Sequence, residues 1–123
     1  MYRLSVYNDP VAKLRALQEP SFLILTSLAH EPQHGYGIIT DVERISQGEI
    51  RLRAGTLYAA LDRLQAEGLI AEEREEIVDG RLRRYYRLTE EGGRRLAAEA
   101  ERLQRNARTA VTRLRAHRIG GPA

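Results

Sequence analysis

Asp79-Gly80 is the feature that most constrains this chain, because it sits between two strand-like runs, Leu69 to Val78 and Leu82 to Leu88. A two-residue Asp-Gly loop supplies the left-handed backbone that closes a tight antiparallel hairpin. The segments before it have a helical pattern. Pro20 opens a helix in which Ser21 to His30 place Phe22, Leu25, Leu28 and Ala29 inward, and Pro32 stops it. Gly35-Tyr36-Gly37 leads into Ile38 to Ile45, with Ile38, Ile39, Val42 and Ile45 inward and Gly48 past the end. Glu49 to Leu52 alternates polar and apolar as a short strand would. Ala54 to Glu67 then carries Leu57, Ala60, Leu61 and Leu64 at helical spacing and closes at Gly68. A short helix from Pro10 to Leu17, with Val11, Leu14 and Leu17 on one side, precedes all of these.

Three helices followed by a hairpin is the order of a winged helix-turn-helix. After the hairpin, Thr89 caps a helix with Glu90 and Glu91 in its first turn, and nothing after Gly93 breaks it before His117. Leu96, Ala100, Leu103, Ala107, Ala110, Leu114 and His117 recur in steps of four and three, the seam of a helix that packs along a partner. About 25 residues of helix span roughly 37 Å, too long for so small a domain to cover. The expected fold is therefore mainly α with a small β-hairpin. Residues 1–89 form a winged helix-turn-helix DNA-binding domain with an N-terminal helical extension, 90–118 a dimerisation helix, and 119–123 a disordered tail. The expected dimer interface is Val11, Leu14, Leu96, Ala100, Leu103, Ala107, Ala110 and Leu114.

Charge placement points to the partner. The net charge of the 123 residues is only +3, yet nineteen of the 20 basic residues are arginine and Lys13 is the only lysine. Arginine suits bidentate contact with phosphate and guanine, although a GC-rich genome would produce the same bias. Position is the stronger argument. Glu72 to Asp79 holds five acids and one arginine, whereas Gly80 to Leu88 holds Arg81, Arg83, Arg84 and Arg87 and no acid. Arginines beginning at a hairpin tip suit a wing over phosphates or in a minor groove. Alternation sends Arg81 and Arg83 to one face and Arg84 with Tyr86 to the other. On the third helix the core takes Leu57, Leu61 and Leu64, leaving Thr56, Tyr58, Ala59, Asp62 and Arg63 outward. The expected DNA-binding residues are Arg53, Gly55, Thr56, Tyr58, Arg63, Arg81, Arg83 and Arg84, with Gly55 letting the backbone approach the duplex closely. An ordinary amphipathic helix with solvated polar residues is the plainer alternative for this segment.

From about Leu23 to Gly92 the chain resembles the PadR-like transcriptional regulators. His34-Gly35-Tyr36-Gly37-Ile38 is similar to the family's signature before its second helix. Gly55-Thr56-Leu57-Tyr58, continued by Leu61, Leu64 and Glu67-Gly68-Leu69-Ile70, is similar to its recognition helix and the turn into the wing. Arg84-Tyr85-Tyr86-Arg87-Leu88-Thr89-Glu90-Glu91-Gly92 resembles its second wing strand and the start of its last helix. Where the family usually has Ser-Pro before Gly-Thr-Leu-Tyr, this chain has Arg53-Ala54, which removes a cap and adds a cation. The resemblance implies a homodimeric DNA-binding repressor of the short subclass. Two-fold symmetry would make its double-stranded operator palindromic, and with no apolar run of signal-peptide or membrane-spanning length a cytoplasmic location is expected. The resemblance also implies release by a small aromatic effector, for which Tyr7, Val11, Leu14, Leu96 and Leu103 would line the dimer cleft. Some short members stack a planar ligand between tryptophans, and this chain has none.

Other classes find little support. With no cysteine there is no disulfide framework or thiolate nucleophile, and His30, His34 and His117 have no evident metal-ligand spacing. No cofactor, metal or membrane partner is expected. Glu72-Glu73 and Glu75-Glu76 suit a solvated strand edge better than acid–base catalysis. The rivals are a winged-helix protein–protein interaction module without DNA binding and a MarR-like dimer, against which the single terminal helix and the Gly-Thr-Leu-Tyr run argue.

Overall fold

Pro20 lies in the first turn of α1 (Glu19–His30), where a missing amide hydrogen costs nothing, and Pro32 follows its extended C-cap Glu31. The computed structural model describes residues 17–119, in the order α1, β1 (Gln33–His34), α2 (Gly35–Ile45), α3 (Ala54–Ala66), β2 (Ile70–Val78), β3 (Arg81–Leu88) and α4 (Glu90–Ile119). The expected N-terminal helix, with Val11 and Leu14, lies outside the described residues, as do Tyr7 and tail residues 120–123.

The core forms where the three short helices meet the sheet. Leu23, Ile24, Leu25 and Leu28 of α1 pack with Ile38 and Val42 of α2 and with Leu57, Ala60, Leu61 and Leu64 of α3. Leu69, Ile70 and Tyr86 close this cluster from the sheet side. Each fully buried aliphatic side chain adds roughly 1.5–3 kcal/mol of transfer free energy. Two inward expectations fail at helix ends. Ala29 is exposed, its place in the core taken by Ile24, and Ile45 is 40% exposed because α2 stops there at its C-cap Ser46.

The third strand is not at Glu49 to Leu52. There the Ser46 hydroxyl accepts the Ile50 amide at 2.9 Å and folds the segment into a loop. The third strand is instead β1, which pairs antiparallel with β3 through Gln33–Tyr86 and His34–Tyr85 and gives the order β1-β3-β2. Asp79 and Gly80 have φ of 52° and 76°, the left-handed pair that a type I′ turn requires. A bulge between Glu72 and Arg74 then puts Glu72 and Glu75 on the same face of β2.

The wing and α4 are joined by a knot of short contacts. Thr89 donates its hydroxyl to the Gly68 carbonyl at 2.7 Å and its amide to Leu69 at 3.1 Å, while its Oγ1 accepts the Gly92 amide at 3.0 Å. Gly92 lies so close to the Leu69 carbonyl that a Cβ would overlap its oxygen. The first turns of α4 consequently belong to the winged-helix body. Leu96, expected in the partner seam, packs against the core of its own chain. Glu99 is only 4% exposed and pairs with Arg102. Hydrogen bonding from Arg102 holds its carboxyl below the ordinary value against the opposing effect of burial, and the Leu17 amide and the charge of Arg95 add to this. Glu99 thus supplies an acceptor near the start of α1, where Gln18 makes no side-chain cap.

The two glycines of α4 should respond in opposite ways. Gly92→Ala forces a methyl onto backbone and should cost about 2–3 kcal/mol or more. Gly93→Ala meets only Leu88 Cδ2 at 3.8 Å and should stabilise by roughly 0.5–1 kcal/mol. Urea unfolding of both variants checks this; equal midpoints would show that the Gly92 contact relaxes freely.

Candidate nucleic-acid interface

With Leu57, Ala60, Leu61 and Leu64 committed to the core, helical geometry turns Gly55, Ala59, Asp62 and Ala66 directly outward. Thr56 and Arg63 flank this stripe on one side and Tyr58 on the other. Arg53 is the N-cap of α3 and makes no side-chain cap hydrogen bond. Gly55 has open space around it, so nothing inside the fold requires a glycine there. Tyr58 is 47% exposed and crosses above Gly35, where a Cβ would lie 2.5 Å from its hydroxyl. Arg63 departs from expectation. It donates to the Ser21 hydroxyl at 3.1 Å, so its guanidinium is turned toward α1 and not along the outward stripe.

Pairing across the hairpin sets Arg84 apart from Arg81 and Arg83. Arg84 donates to Glu75 at 3.2 Å and lies 3.7 Å from Glu72, both brought to its face by the bulge. A hydrogen bond with Tyr86 and then these carboxylates raise its pKa above the ordinary value. Arg84 is therefore already neutralised within the chain. The side chains of Arg81 and Arg83 make no hydrogen bond or ion pair among the described residues, although Arg83 stands opposite Glu76. Their cationic groups are available to an outside anion. The tyrosines between Arg84 and Arg87 are structural. Tyr86 is buried, and the Tyr85 ring lies 3.9 Å under the Arg74 guanidinium while its hydroxyl meets Glu76 at 3.2 Å.

His34, Gly35, Tyr36, Tyr58, Arg81, Leu82, Arg83 and Arg84 line one groove of about 400 Å³ between the start of α2, α3 and the wing. Tyr36, 73% exposed, and the cross-strand pair Ile77–Leu82, 74% and 59% exposed, were not among the expected contacts. For Tyr36 the available signal was its place beside the Gly35 helix start. For Leu82 nothing in the alternation separated an exposed apolar residue from a buried one. His34 caps α2 by accepting the Gly37 amide on Nδ1 at 3.3 Å, and its ring meets Tyr85 edge-on at 5.2 Å. Burial pushes its pKa below 6.5, the charge of Arg83 lowers it further, and Glu76 opposes the shift. Among the described residues no group of three or more His, Asp or Glu is placed to hold a metal ion.

Three packed helices, a two-stranded wing with a third short strand and a long terminal helix define a winged helix-turn-helix protein. The sequence profile described as "Transcriptional regulator PadR-like family" matches residues 24–98. The chain is similar to the transcriptional regulator Rv3488 of Mycobacterium tuberculosis, 38% identical over 85 residues that make up 69% of this chain and 76% of that protein. Its fold is similar to a PadR-family regulator from Clostridium difficile, with a TM-score of 0.65, 27% identity and coverage of 77% of this chain and 97% of the other. It also matches Bacillus subtilis PadR in a crystal structure with operator DNA, with a TM-score of 0.57 and 24% identity over 63% of this chain and 44% of that one. The chain belongs to the PadR-like family of transcriptional regulators.

The His34 cap gives a pH dependence of known sign. The fold favours neutral imidazole, so the unfolded chain binds more protons as pH falls through about 6.5. Stability should be fully present above that value and fall below it. His34→Asn keeps a cap acceptor without titrating, so its stability should change less between pH 7 and 5 than the wild type's. Parallel pH profiles for the two proteins in thermal melts would remove His34 as the cause.

Proposed function

We propose that this regulator binds double-stranded operator DNA as a homodimer, with α3 in the major groove and the wing tip over the adjacent backbone or minor groove. The observation that carries the reading is the position of Arg81 and Arg83. They have no partner among the described residues, although the neighbouring strand is rich in carboxylates, and they line one groove with Tyr58 of α3. Arg53, Gly55, Thr56 and Tyr58 present the open N-terminal half of α3 to the duplex, while Arg63 and Arg84 act mainly within the fold. The solved complex of Bacillus subtilis PadR, a protein of the same fold, with operator DNA supports DNA as the partner. Repression in the cytoplasm, and release by a small aromatic effector in the dimer cleft, complete the reading and rest on family membership. No helix among the described residues is long and apolar enough to cross a membrane.

Dimerisation is supported by the state of α4. From Leu103 to Arg118 every residue is exposed, including Leu103, Val111 and Leu114 at 40%, 45% and 61%. A bare helix of that length is only marginally stable in water, so it needs a surface to lie against. A second copy supplies one along Ala100, Leu103, Ala107, Ala110 and Leu114, which Val111 widens. Leu103→Asp with Leu114→Asp should give monomers in sedimentation at low micromolar concentration, because each charge would be buried without a partner. A dimeric mass would place the interface elsewhere.

Binding is tested with the duplex upstream of the chain's own gene and a scrambled duplex, across a salt series. Arg81→Ala and Arg83→Ala should weaken both duplexes alike and lower the salt slope by about one unit each, with Arg84→Ala having less effect. Thr56→Ala and Tyr58→Ala should cost about 1–3 kcal/mol on the operator and less on the scrambled duplex. No binding by the intact protein would favour a protein–protein interaction module instead.

A further inference from the structure

The outward stripe of α3 is almost bare. Gly55, Ala59 and Ala66 offer no functional group, and Gly55 has nothing within van der Waals reach of a would-be Cβ. The carboxylate of Asp62, on the same stripe, is exposed and makes no hydrogen bond or ion pair among the described residues. From Gly55 to Asp62 the stripe rises roughly 10 Å, which fits across a major groove about 12 Å wide. A helix with so little side-chain bulk can approach the groove floor closely, leaving Asp62 as the polar group of its central line. A carboxylate cannot pair with phosphate and accepts hydrogen bonds only, so its partner in the groove must be an exocyclic amino group. Cytosine N4 lies beside a C–H, whereas adenine N6 lies beside the N7 acceptor, which would repel the second carboxylate oxygen.

Resting on the DNA-binding reading above, we propose that Asp62 is a specificity-determining residue that accepts a hydrogen bond from cytosine N4 in each half-site. A cation in its place would strengthen binding to any sequence through phosphate. Asp62 instead penalises approach to the duplex wherever no amino group meets it, and so selects among sites.

The test is enrichment from a randomised duplex library by the full chain and by Asp62→Asn and Asp62→Ala, with circular dichroism confirming the same helix content. The wild type should enrich a symmetric site with a C·G pair at one position per half-site. Asp62→Asn should shift that position toward A·T, since an amide can both donate to adenine N7 and accept from N6. Asp62→Ala should lose preference there alone and bind the wild-type site about 5- to 150-fold more weakly. If all three proteins enrich the same site, or if Asp62→Ala tightens binding to every sequence alike, Asp62 is a repulsive surface charge and the assignment fails while DNA binding stands. If the wild type enriches nothing, the DNA-binding reading itself falls, and this one with it.

Discussion

The close approach of Gly92 to the Leu69 carbonyl fixes how the parts of this molecule are oriented. Leu69 leads from α3 into the first wing strand, and Gly92 sits in the first turn of α4, so one contact ties three elements together. Thr89 bridges the same point by serving the Gly68 carbonyl and the Gly92 amide with one hydroxyl. The direction in which the wing leaves α3 and that in which α4 leaves the wing are therefore set by the same few atoms. A side chain at position 92 would push α4 off the body and move Leu96 and Glu99 with it. In the proposed dimer the spacing of the two DNA-facing surfaces would follow that angle, so a contact remote from any base would bear on which half-site spacing fits.

The wing uses its charges in two different ways. Bulging β2 by one residue brings Glu72 and Glu75 to the face of Arg84, and Arg74 covers Tyr85 while pairing with Glu73 and Glu76. Exposed ion pairs of this kind contribute little to stability, because water screens them. Their effect is on placement, since they neutralise the base of the wing and leave the cationic tip to Arg81 and Arg83. A strand of acids beside a strand of arginines thus produces a localised positive end from a molecule whose net charge is only +3.

How much of this was legible in the sequence follows the physics of each element. The hairpin was plain, because Asp79-Gly80 has few other uses, and the helices were plain where three or four apolar residues recur. The position of the third strand was not. Gln33–His34 is two residues long and has no period to detect, whereas Glu49 to Leu52 has the alternation and is folded into a loop by the Ser46 hydroxyl. Buried partners of polar residues were also hidden. Nothing local distinguishes Arg63, which reaches Ser21 forty-two positions away, from an arginine that faces solvent. Nothing local distinguishes Glu99 from the other acids of its charged helix either, although it lies buried beside the start of α1. The separation of Arg84 from Arg81 and Arg83 was half legible. Alternation gave the faces, but the bulge that supplies the carboxylates appears only in three dimensions.

The starts of α3 and α4 differ in a way that bears on function. Helix α4 has every local stabiliser, with Thr89 as a hydrogen-bonded cap and Glu90 and Glu91 against the helix dipole. Helix α3 has none of these. Its N-cap is Arg53 without a capping bond, its first turn holds no acid, and its second residue is a glycine that packing does not demand. The missing cap alone forgoes about 1 kcal/mol. Packing of Leu57, Leu61 and Leu64 exceeds that several-fold and keeps the helix formed. What remains is a set of free amides at the positive end of a helix, flanked by a cation and open to close approach. A carboxylate there would have stabilised the helix, as Glu90 and Glu91 do in α4, but under the proposed docking it would also have stood where a phosphate of the duplex would lie.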